Sequence, residues 1–151
     1  MNAIYFSYGS NMALEQMVAR CPKAKLVGPA RLPGYRLTFS GFSRAWGGAV
    51  ATIFPAPGAC VPGLLYRISP GDLAQLDAFE GAPHVYERRQ HRVRDKADRV
   101  LPAEVYGLVQ NPFPGVPSAE YFRAIHRAYR KYRFDIQMLS SALAFSGRAR
   151  H

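Results

Sequence analysis

Two features of the sequence are suited to acid–base chemistry, and the first is a glutamate on the apolar face of a predicted helix. Leu73, Leu76 and Glu80 stand at positions i, i+3 and i+7, so they share one side of that helix. A carboxylate on a buried face is costly unless it has a partner or a task, because desolvation disfavours its charged form and raises its pKa. A carboxylate with a raised pKa can act as a general acid or base. The alternative is a frayed last turn that leaves Glu80 in solvent.

The second feature is the stretch YFSYGSNM at residues 5–12, which combines a strand, a glycine turn and the start of a helix. Its tyrosines and phenylalanine favour a strand. Gly9 permits a sharp turn, and Ser10 and Asn11 are suitable N-cap residues for the helix that follows. Such a junction directs free backbone N–H groups at one point, where they can bind a carboxylate or a developing oxyanion. The sequence leaves open which of the two binds, and an ordinary structural turn would have the same pattern.

Other common catalytic arrangements are missing from the sequence. Ser10 is followed by Asn11, Met12 and Ala13, so the G-x-S-x-G pattern of a nucleophile elbow is not formed. The histidines and the two cysteines have no metal-ligand spacing, and there is neither a P-loop nor a G-x-G-x-x-G motif. We therefore expect no metal and no cofactor. The remaining groups suit a reaction that needs proton transfer and oxyanion stabilisation without a covalent enzyme intermediate.

The size and composition are typical of one globular domain. The chain has 151 residues, of which 48% are hydrophobic and 20% are charged. We expect a single domain over residues 1–146, followed by a disordered basic tail at residues 147–151. No apolar run reaches the roughly 20 residues of a membrane span, and the first ten residues lack the pattern of a signal peptide. Together with two widely spaced cysteines, these features predict a cytoplasmic protein.

The net charge of +10 would attract anions, either acidic small molecules or nucleic acid. Sixteen of the 20 basic residues are arginines, and they are scattered from Arg20 to Arg150. This scatter indicates a bias in composition, so we do not expect a nucleic-acid partner. The densest group lies at residues 88–94, where Arg88, Arg92 and Arg94 share one face of a predicted strand. We interpret that face as solvent-exposed.

The predicted elements alternate little between strands and helices. Six to seven strands are expected, at residues 5–8, 25–30, 35–40, 48–54, 61–68, 85–94 and 100–109. A turn at residues 32–34 separates the second and third, and Pro55 and Pro57 end the fourth. Three to four helices are expected, at residues 12–20, 70–80, 118–132 and 135–145. This order predicts an α+β fold whose mostly antiparallel or mixed sheet can close as a barrel.

Three motifs in chain order resemble the γ-glutamylcyclotransferase family. They are YFSYGSNM at residues 5–12, WGGAVATIFPAPG at residues 46–58, and LDAFEG at residues 76–81, followed by Tyr86. The resemblance implies that Glu80 is the catalytic acid/base and that a Y-G-S-N loop holds the substrate. It also places three tyrosines near the substrate, with Tyr86 as a partner of Glu80; without it we would interpret all three as core residues. The loop residues are Tyr8, Gly9, Ser10 and Asn11, and the tyrosines are Tyr86, Tyr106 and Tyr121.

The resemblance also implies a fold and an activity. The fold is a small mixed or antiparallel β-barrel flanked by three to four helices, and a homodimer is compatible with it. The activity is cofactor-independent cyclisation of the γ-glutamyl group of a small γ-glutamyl amino acid or amide to 5-oxoproline, with release of the free amine. Relatives that act on γ-glutamylamines or on glutathione more often have Y-G-T-L or Y-G-S-L at the loop, so Asn11 favours either a γ-glutamyl amino acid as substrate or a related enzyme that removes γ-glutamyl groups from a biosynthetic intermediate.

Three alternatives stay open at this point. The enzyme could remove a γ-glutamyl group from a dedicated biosynthetic intermediate or a γ-glutamylamine, or it could hydrolyse the amide to free glutamate. A non-catalytic basic binding module could also keep the same fold. Residues 82–85 and 110–121 depart from the better-known animal members, which leaves the identity of the leaving amine open.

Overall fold

Five strands form a closed, mixed barrel in the computed structural model, which describes residues 2–109 and 113–148. They are β1 (Ala3–Ser7), β2 (Lys25–Ser43), β3 (Gly48–Ile68), β4 (Tyr86–Asp95) and β5 (Val100–Leu108). Around the barrel the order is β1-β3-β2-β4-β5, and the barrel closes where β1 runs parallel to β5. The other neighbours are antiparallel. The α+β barrel expected from the sequence is therefore confirmed.

The prediction of six to seven strands is wrong, because β2 and β3 each continue through a segment that was expected to end a strand. Residues 56–59 of β3 lie opposite the single residue Gly34 of β2, which makes a bulge. Gly34 and Gly58 have φ angles of 83° and 84°, a conformation that only glycine adopts easily. The glycines, and the prolines between them, therefore mark a bulge in two long strands and not the ends of four short ones.

Four α-helices flank the barrel within the described residues. They are α1 (Leu14–Arg20), α2 (Pro70–Glu80), α3 (Ala119–Lys131) and α4 (Ile136–Arg148). Ser118 caps α3 as predicted, since its hydroxyl oxygen accepts a hydrogen bond from the N–H of Tyr121. Helix α4 extends two residues into the predicted tail, and residues 149–151 of that tail lie outside the described residues.

Helix α2 has the start and the end that the sequence predicts. The Ser69 hydroxyl accepts from the N–H of Asp72, and the Asp72 carboxylate accepts from the N–H of Ser69, which forms a capping box. Gly81 ends the helix in a left-handed conformation with a φ angle of 67°. Leu76 on the inner face is fully buried. These contacts fix the last helical turn, which carries Glu80.

Helix α1 begins later than predicted. A single 3₁₀ turn at Ser10–Met12 comes first, and Ala13 precedes the first α-helical residue. Neither Ser10 nor Asn11 caps a helix with its side chain, so their prediction as N-caps is wrong. The reason is tertiary, because other partners occupy the Asn11 side chain, as described below.

Large apolar side chains fill the barrel and the layer beneath α3. Phe6, Phe39 and Tyr66 are fully buried on the strands, and α3 contributes the buried residues Ile125 and Tyr129. This core supports the ends of the strands on which the candidate site is built. No helix within residues 2–109 and 113–148 is long and apolar enough to cross a membrane.

Candidate active site

A cavity of about 700 Å³ opens at the end of the barrel where β1 ends and β4 begins. This volume suits a small-molecule ligand. All eight site residues expected from the sequence line this cavity, although four of them lie far along the chain from the loop of residues 8–11. They are Tyr8, Gly9, Ser10, Asn11, Glu80, Tyr86, Tyr106 and Tyr121.

Glu80 projects from the last turn of α2 and its side chain is only 18% exposed. Burial raises the pKa of its carboxyl above the ordinary value, and the positive charge of Arg20 opposes part of that rise. The Arg20 Nη1 atom lies 3.8 Å from Glu80 Oε1, which is a loose ion pair. Glu80 is therefore a partly desolvated carboxylate that can exchange a proton inside the cavity.

The turn after β1 lines the same cavity and contains backbone N–H groups that have no partner among the hydrogen bonds of the described residues. The N–H groups of Met12 and Ala13 close the 3₁₀ turn on the carbonyl oxygens of Gly9 and Ser10. Among the hydrogen bonds of the described residues, none is donated by the N–H groups of Gly9, Ser10 or Asn11. Unpaired N–H groups in a cavity wall can bind a carboxylate or stabilise an oxyanion.

The Asn11 side chain forms hydrogen bonds to three neighbouring side chains of the protein. It is 3% exposed, its Nδ2 donates to the Tyr5 hydroxyl at 2.9 Å, and its Oδ1 accepts from Gln16 at 2.8 Å and from Arg20 at 3.1 Å. The Tyr66 hydroxyl donates to the Asn11 carbonyl oxygen. The backbone N–H of Asn11 and the second hydrogen of its Nδ2 have no partner among the hydrogen bonds of the described residues, and its Oδ1 positions Arg20.

Two of the tyrosines converge on one backbone unit. The N–H of Ala51 donates to the Tyr121 hydroxyl at 2.8 Å, and the Tyr86 hydroxyl donates to the Ala51 carbonyl oxygen at 2.9 Å. The Tyr86 hydroxyl therefore donates to Ala51, whereas the sequence resemblance suggested Glu80 as the partner of Tyr86. Tyr121 only accepts in its bond with Ala51, so its own hydroxyl hydrogen is available to a ligand. Burial raises the pKa of both phenols, which keeps them neutral near pH 7.

The other two tyrosines are tied to strand β5 and helix α2. The Tyr8 hydroxyl donates to the Tyr106 carbonyl oxygen, and the Tyr106 hydroxyl donates to Asp77 Oδ1 at 2.6 Å. Asp77 also accepts from Arg88, through Nε at 2.8 Å and Nη2 at 3.1 Å. Desolvation favours a higher pKa for Asp77, but the bonds from Arg88 and Tyr106 outweigh it and lower that pKa. This cluster joins α2 to the barrel one turn before Glu80.

Sequence reasoning missed Arg20, Asp77 and the part that Arg88 plays. Arg88 is not simply solvent-exposed as predicted, because it contacts Asp77 and also lies 3.3 Å from Glu104. One signal was available for Asp77, which precedes Glu80 by three residues and so lies near the same helix face. For metals, the described part of the chain contains no group of three or more His, Cys, Asp or Glu side chains that could hold an ion.

Comparison with known sequences identifies the family of the chain. The family described as "Gamma-glutamyl cyclotransferase, AIG2-like" matches residues 5–124. The gamma-glutamylcyclotransferase of Mus musculus is 33% identical over an alignment of 127 residues, and the match covers 81% of this chain and 67% of the mouse protein. The Homo sapiens protein of the same name is 32% identical over 127 residues, with the same two coverages.

The fold comparison agrees with the sequence comparison. A solved structure named "Gamma-glutamyl cyclotransferase" superposes with a TM-score of 0.84 at 25% identity, and the match covers 99% of this chain and 87% of that one. The sequence match includes both the loop of residues 8–11 and Glu80. The chain therefore belongs to the gamma-glutamyl cyclotransferase, AIG2-like family.

Proposed function

We propose that this protein cyclises the γ-glutamyl group of a γ-glutamyl amino acid or amide to 5-oxoproline and releases the free amine. The observation that carries the proposal is the position of Glu80, a partly desolvated carboxylate in the same cavity as the unpaired N–H groups of Gly9, Ser10 and Asn11. Relatives from mouse and human carry the name of this activity.

The chemistry suits a site with one carboxylate and several hydrogen-bond donors. In a γ-glutamyl amide the α-nitrogen can fold back on the γ-carbonyl carbon and form a five-membered lactam. The new nitrogen–carbon bond forms as the bond to the leaving nitrogen breaks. Because the attack is intramolecular, the enzyme needs chiefly to fix the folded conformation, move protons and stabilise the oxyanion.

Glu80 moves the protons in this scheme. The substrate's α-ammonium must lose a proton before its nitrogen can attack, and the ionised Glu80 carboxylate accepts it. The leaving nitrogen must gain a proton before it departs, and the protonated Glu80 supplies it. A second proton passes from the attacking to the leaving nitrogen when the amine is released as an ammonium ion. The raised pKa of Glu80 brings its proton affinity closer to what both transfers need.

The remaining donors hold the substrate. The N–H groups of Gly9, Ser10 and Asn11 bind either the α-carboxylate of the glutamyl group or the oxyanion. The Tyr121 hydroxyl hydrogen has no partner among the hydrogen bonds of the described residues, and its ring packs edge-to-face with Trp46 at a centroid distance of 5.0 Å. We assign Tyr121 as a second donor to the substrate, and Tyr8, Tyr86 and Tyr106 as the walls that fix its position.

The direct test is detection of 5-oxoproline by mass spectrometry after the purified protein is incubated with γ-glutamyl amino acids, γ-glutamylamines and glutathione. Wild type should release 5-oxoproline and Glu80→Gln should release none while keeping its fold by circular dichroism. Release of glutamate instead would identify hydrolysis. A normal rate in the Glu80→Gln variant would remove Glu80 from the mechanism.

Two statements about partners remain predictions. We propose a small γ-glutamyl molecule as the partner and no nucleic acid, which a binding titration at low salt can contradict, since phosphate-binding proteins bind most tightly there. A homodimer is compatible with the family, and sedimentation equilibrium would test it.

A further inference from the structure

The outer end of the cavity is lined by apolar side chains that are largely exposed. Phe42 is 73% exposed, Phe79 is 53% exposed and Val85 is 56% exposed, and all three line the cavity. Trp46, which is half-buried, also lines the cavity. Exposed large apolar residues are common singly, but a group around the mouth of a cavity marks a surface that a ligand covers.

The inner end of the same cavity has the opposite character. Its lining includes the buried polar residues Asn11 and Tyr8, the Glu80 carboxylate and the unpaired N–H groups of the turn. The cavity therefore has desolvated polar groups in its buried part and, apart from the exposed His84, mainly apolar side chains in its exposed part. A ligand that fits it should be charged at one end and apolar at the other.

A γ-glutamyl compound has this division when its amine is apolar. The glutamyl part carries an α-ammonium and an α-carboxylate, which match Glu80 and the N–H groups at the inner end. The leaving amine must then extend from the γ-carbonyl toward the mouth. The Phe79 ring lies 4.9 Å from the guanidinium carbon of Arg20, and the same guanidinium is 3.8 Å from Glu80, the group that must protonate the leaving nitrogen.

We propose that the wall formed by Phe42, Trp46, Phe79 and Val85 is a leaving-group subsite, and that the preferred substrates release an amine with an apolar side chain. This inference rests on the proposed function and adds the class of the leaving group. The subsite favours substrates with an apolar leaving group, because binding removes apolar surface of the leaving group and of the four side chains from water.

The positive charge of Arg20 near the subsite would affect an amino acid and an alkylamine leaving group differently. Arg20 is the only Lys or Arg among the described residues that line the cavity, and its guanidinium carbon lies 4.9 Å from the centroid of the Phe79 ring. An amino acid such as leucine would bring a carboxylate within reach of this charge, whereas an alkylamine would not. Both sources share the apolar side chain that the wall recognises.

The test compares kcat/KM across γ-glutamyl-glycine, γ-glutamyl-leucine, γ-glutamyl-phenylalanine, γ-glutamyl-glutamate and γ-glutamyl-isopentylamide. We expect the leucine and phenylalanine substrates to exceed the glycine substrate by about tenfold or more, because single methylene groups in apolar pockets already discriminate on that scale. The glutamate substrate should be the poorest. The isopentylamide should match the leucine substrate if the side chain alone is recognised, and should be slower if Arg20 also binds the carboxylate.

Variants of the wall locate the preference. Phe79→Ala and Phe42→Ala should each lower the leucine-to-glycine ratio of kcat/KM by about fivefold, the effect of uncovering on the order of 40 Å² of apolar surface. Phe54→Ala is the matched control, because Phe54 is an exposed phenylalanine of β3 that does not line the cavity. It should keep the wild-type ratio.

The failure of this inference can be told from the failure of the proposed function. Release of 5-oxoproline at equal rates from all substrates, or fastest from the glycine or glutamate substrate, would leave the function intact and overturn the subsite. A preference that Phe79→Ala, Phe42→Ala and Phe54→Ala leave equally unchanged would also overturn it. If no substrate yields 5-oxoproline, the function and the subsite fail together.

Discussion

The guanidinium of Arg20 lies 3.8 Å from the Glu80 carboxylate and also donates a hydrogen bond to Asn11 Oδ1 at 3.1 Å. It therefore links the helix that carries the proposed acid/base to the turn that carries the unpaired N–H groups. The backbone of Arg20 also contacts α2, because the side-chain amide of Gln75 donates to the Arg20 carbonyl oxygen at 2.8 Å. The two halves of the site are joined by one side chain from α1.

The first prediction concerns the pH dependence of activity. Arg20→Met should raise the pKa of Glu80, because it removes the positive charge that opposes the effect of burial. The mechanism needs ionised Glu80, so the acid limb of the kcat/KM profile should move to higher pH. Arg67→Met, a change of an exposed arginine on β3, is the control and should leave the limb in place. An unshifted limb in Arg20→Met would show that Arg20 does not act on Glu80.

The second prediction concerns stability. Burial raises the folded-state pKa of Glu80 above 4.5, so the folded protein holds its proton more tightly than the unfolded chain does. Wild type must therefore lose stability as pH rises from about 4.5 through the folded pKa, and Glu80→Gln escapes this loss. The variant should have a higher Tm than wild type at pH 7 and the same Tm below about pH 4.5.

Thermal unfolding followed by circular dichroism across this pH range checks the second prediction. Glu87→Gln is the control, because Glu87 is a more exposed glutamate that pairs with Arg89 at the surface. A Tm of Glu80→Gln below that of wild type at pH 7 would contradict the prediction, since the loose pair with Arg20 would then outweigh the cost of burial.

Local signals in the sequence were sufficient for the helices and for part of the site. The cap at Ser69, the helix end at Gly81 and the 3.6-residue spacing of Leu76 and Glu80 are all short-range patterns, and the structure has each of them. At the bulge between β2 and β3 the same local signals predict a break in each strand, because proline and glycine are common both at strand ends and at bulges, and only pairing with a distant strand distinguishes the two.

Long-range pairing also explains what the sequence did not reveal of the site. Tertiary structure brings Arg20 to Glu80 and Arg88 to Asp77. Nothing in the sequence distinguishes Arg20 and Arg88 from the other fourteen arginines. Asn11 has the sequence character of a helix cap, but its side chain faces Tyr5 because the turn enters the barrel end. Residue types in the sequence therefore indicate which chemistry the site can perform, but the contacts of each site residue depend on tertiary structure.

The third prediction concerns Asp77 as a positioning residue. Asp77→Asn should lower kcat by roughly tenfold with little change in KM, because small misplacement of a catalytic group is costly and α2 would lose its ionic bond to Arg88 one turn before Glu80. The free energy of unfolding should fall by about 1 kcal/mol, a modest value because both partners are about 30% exposed.

The pH dependence of that stability loss gives the third prediction a further check. The pKa of Asp77 is lowered in the folded protein, so its contribution is present above the ordinary pKa of 3.8 and is lost as pH falls through the folded value. The stability difference between wild type and Asp77→Asn should therefore close in acid. Asp98→Asn removes another carboxylate that pairs with an arginine, Arg31, away from the cavity, and should leave kcat unchanged. Equal kcat losses in both variants would contradict a positioning role.

The fourth prediction concerns Gly63, where β3 passes beside the end of β1. A Cβ atom at this position would overlap the Ser7 carbonyl oxygen and would lie 2.7 Å from Phe6 Cζ, so β1 would have to move. Gly63→Ala should lower the free energy of unfolding by about 3 kcal/mol, the upper part of the usual range for overpacking. Gly71→Ala is the matched control, because its Cβ would meet only Ser69 Oγ, at 3.8 Å, and alanine is the better helix former.

The same change at Gly63 should also affect substrate binding, because the strand that must move leads directly into Tyr8 and Gly9. Gly63→Ala protein that still folds should have a raised KM, which steady-state kinetics below its Tm will measure. An unaltered Tm would mean that β1 can shift freely at this point, and the turn of residues 8–11 could not then be a rigid donor site.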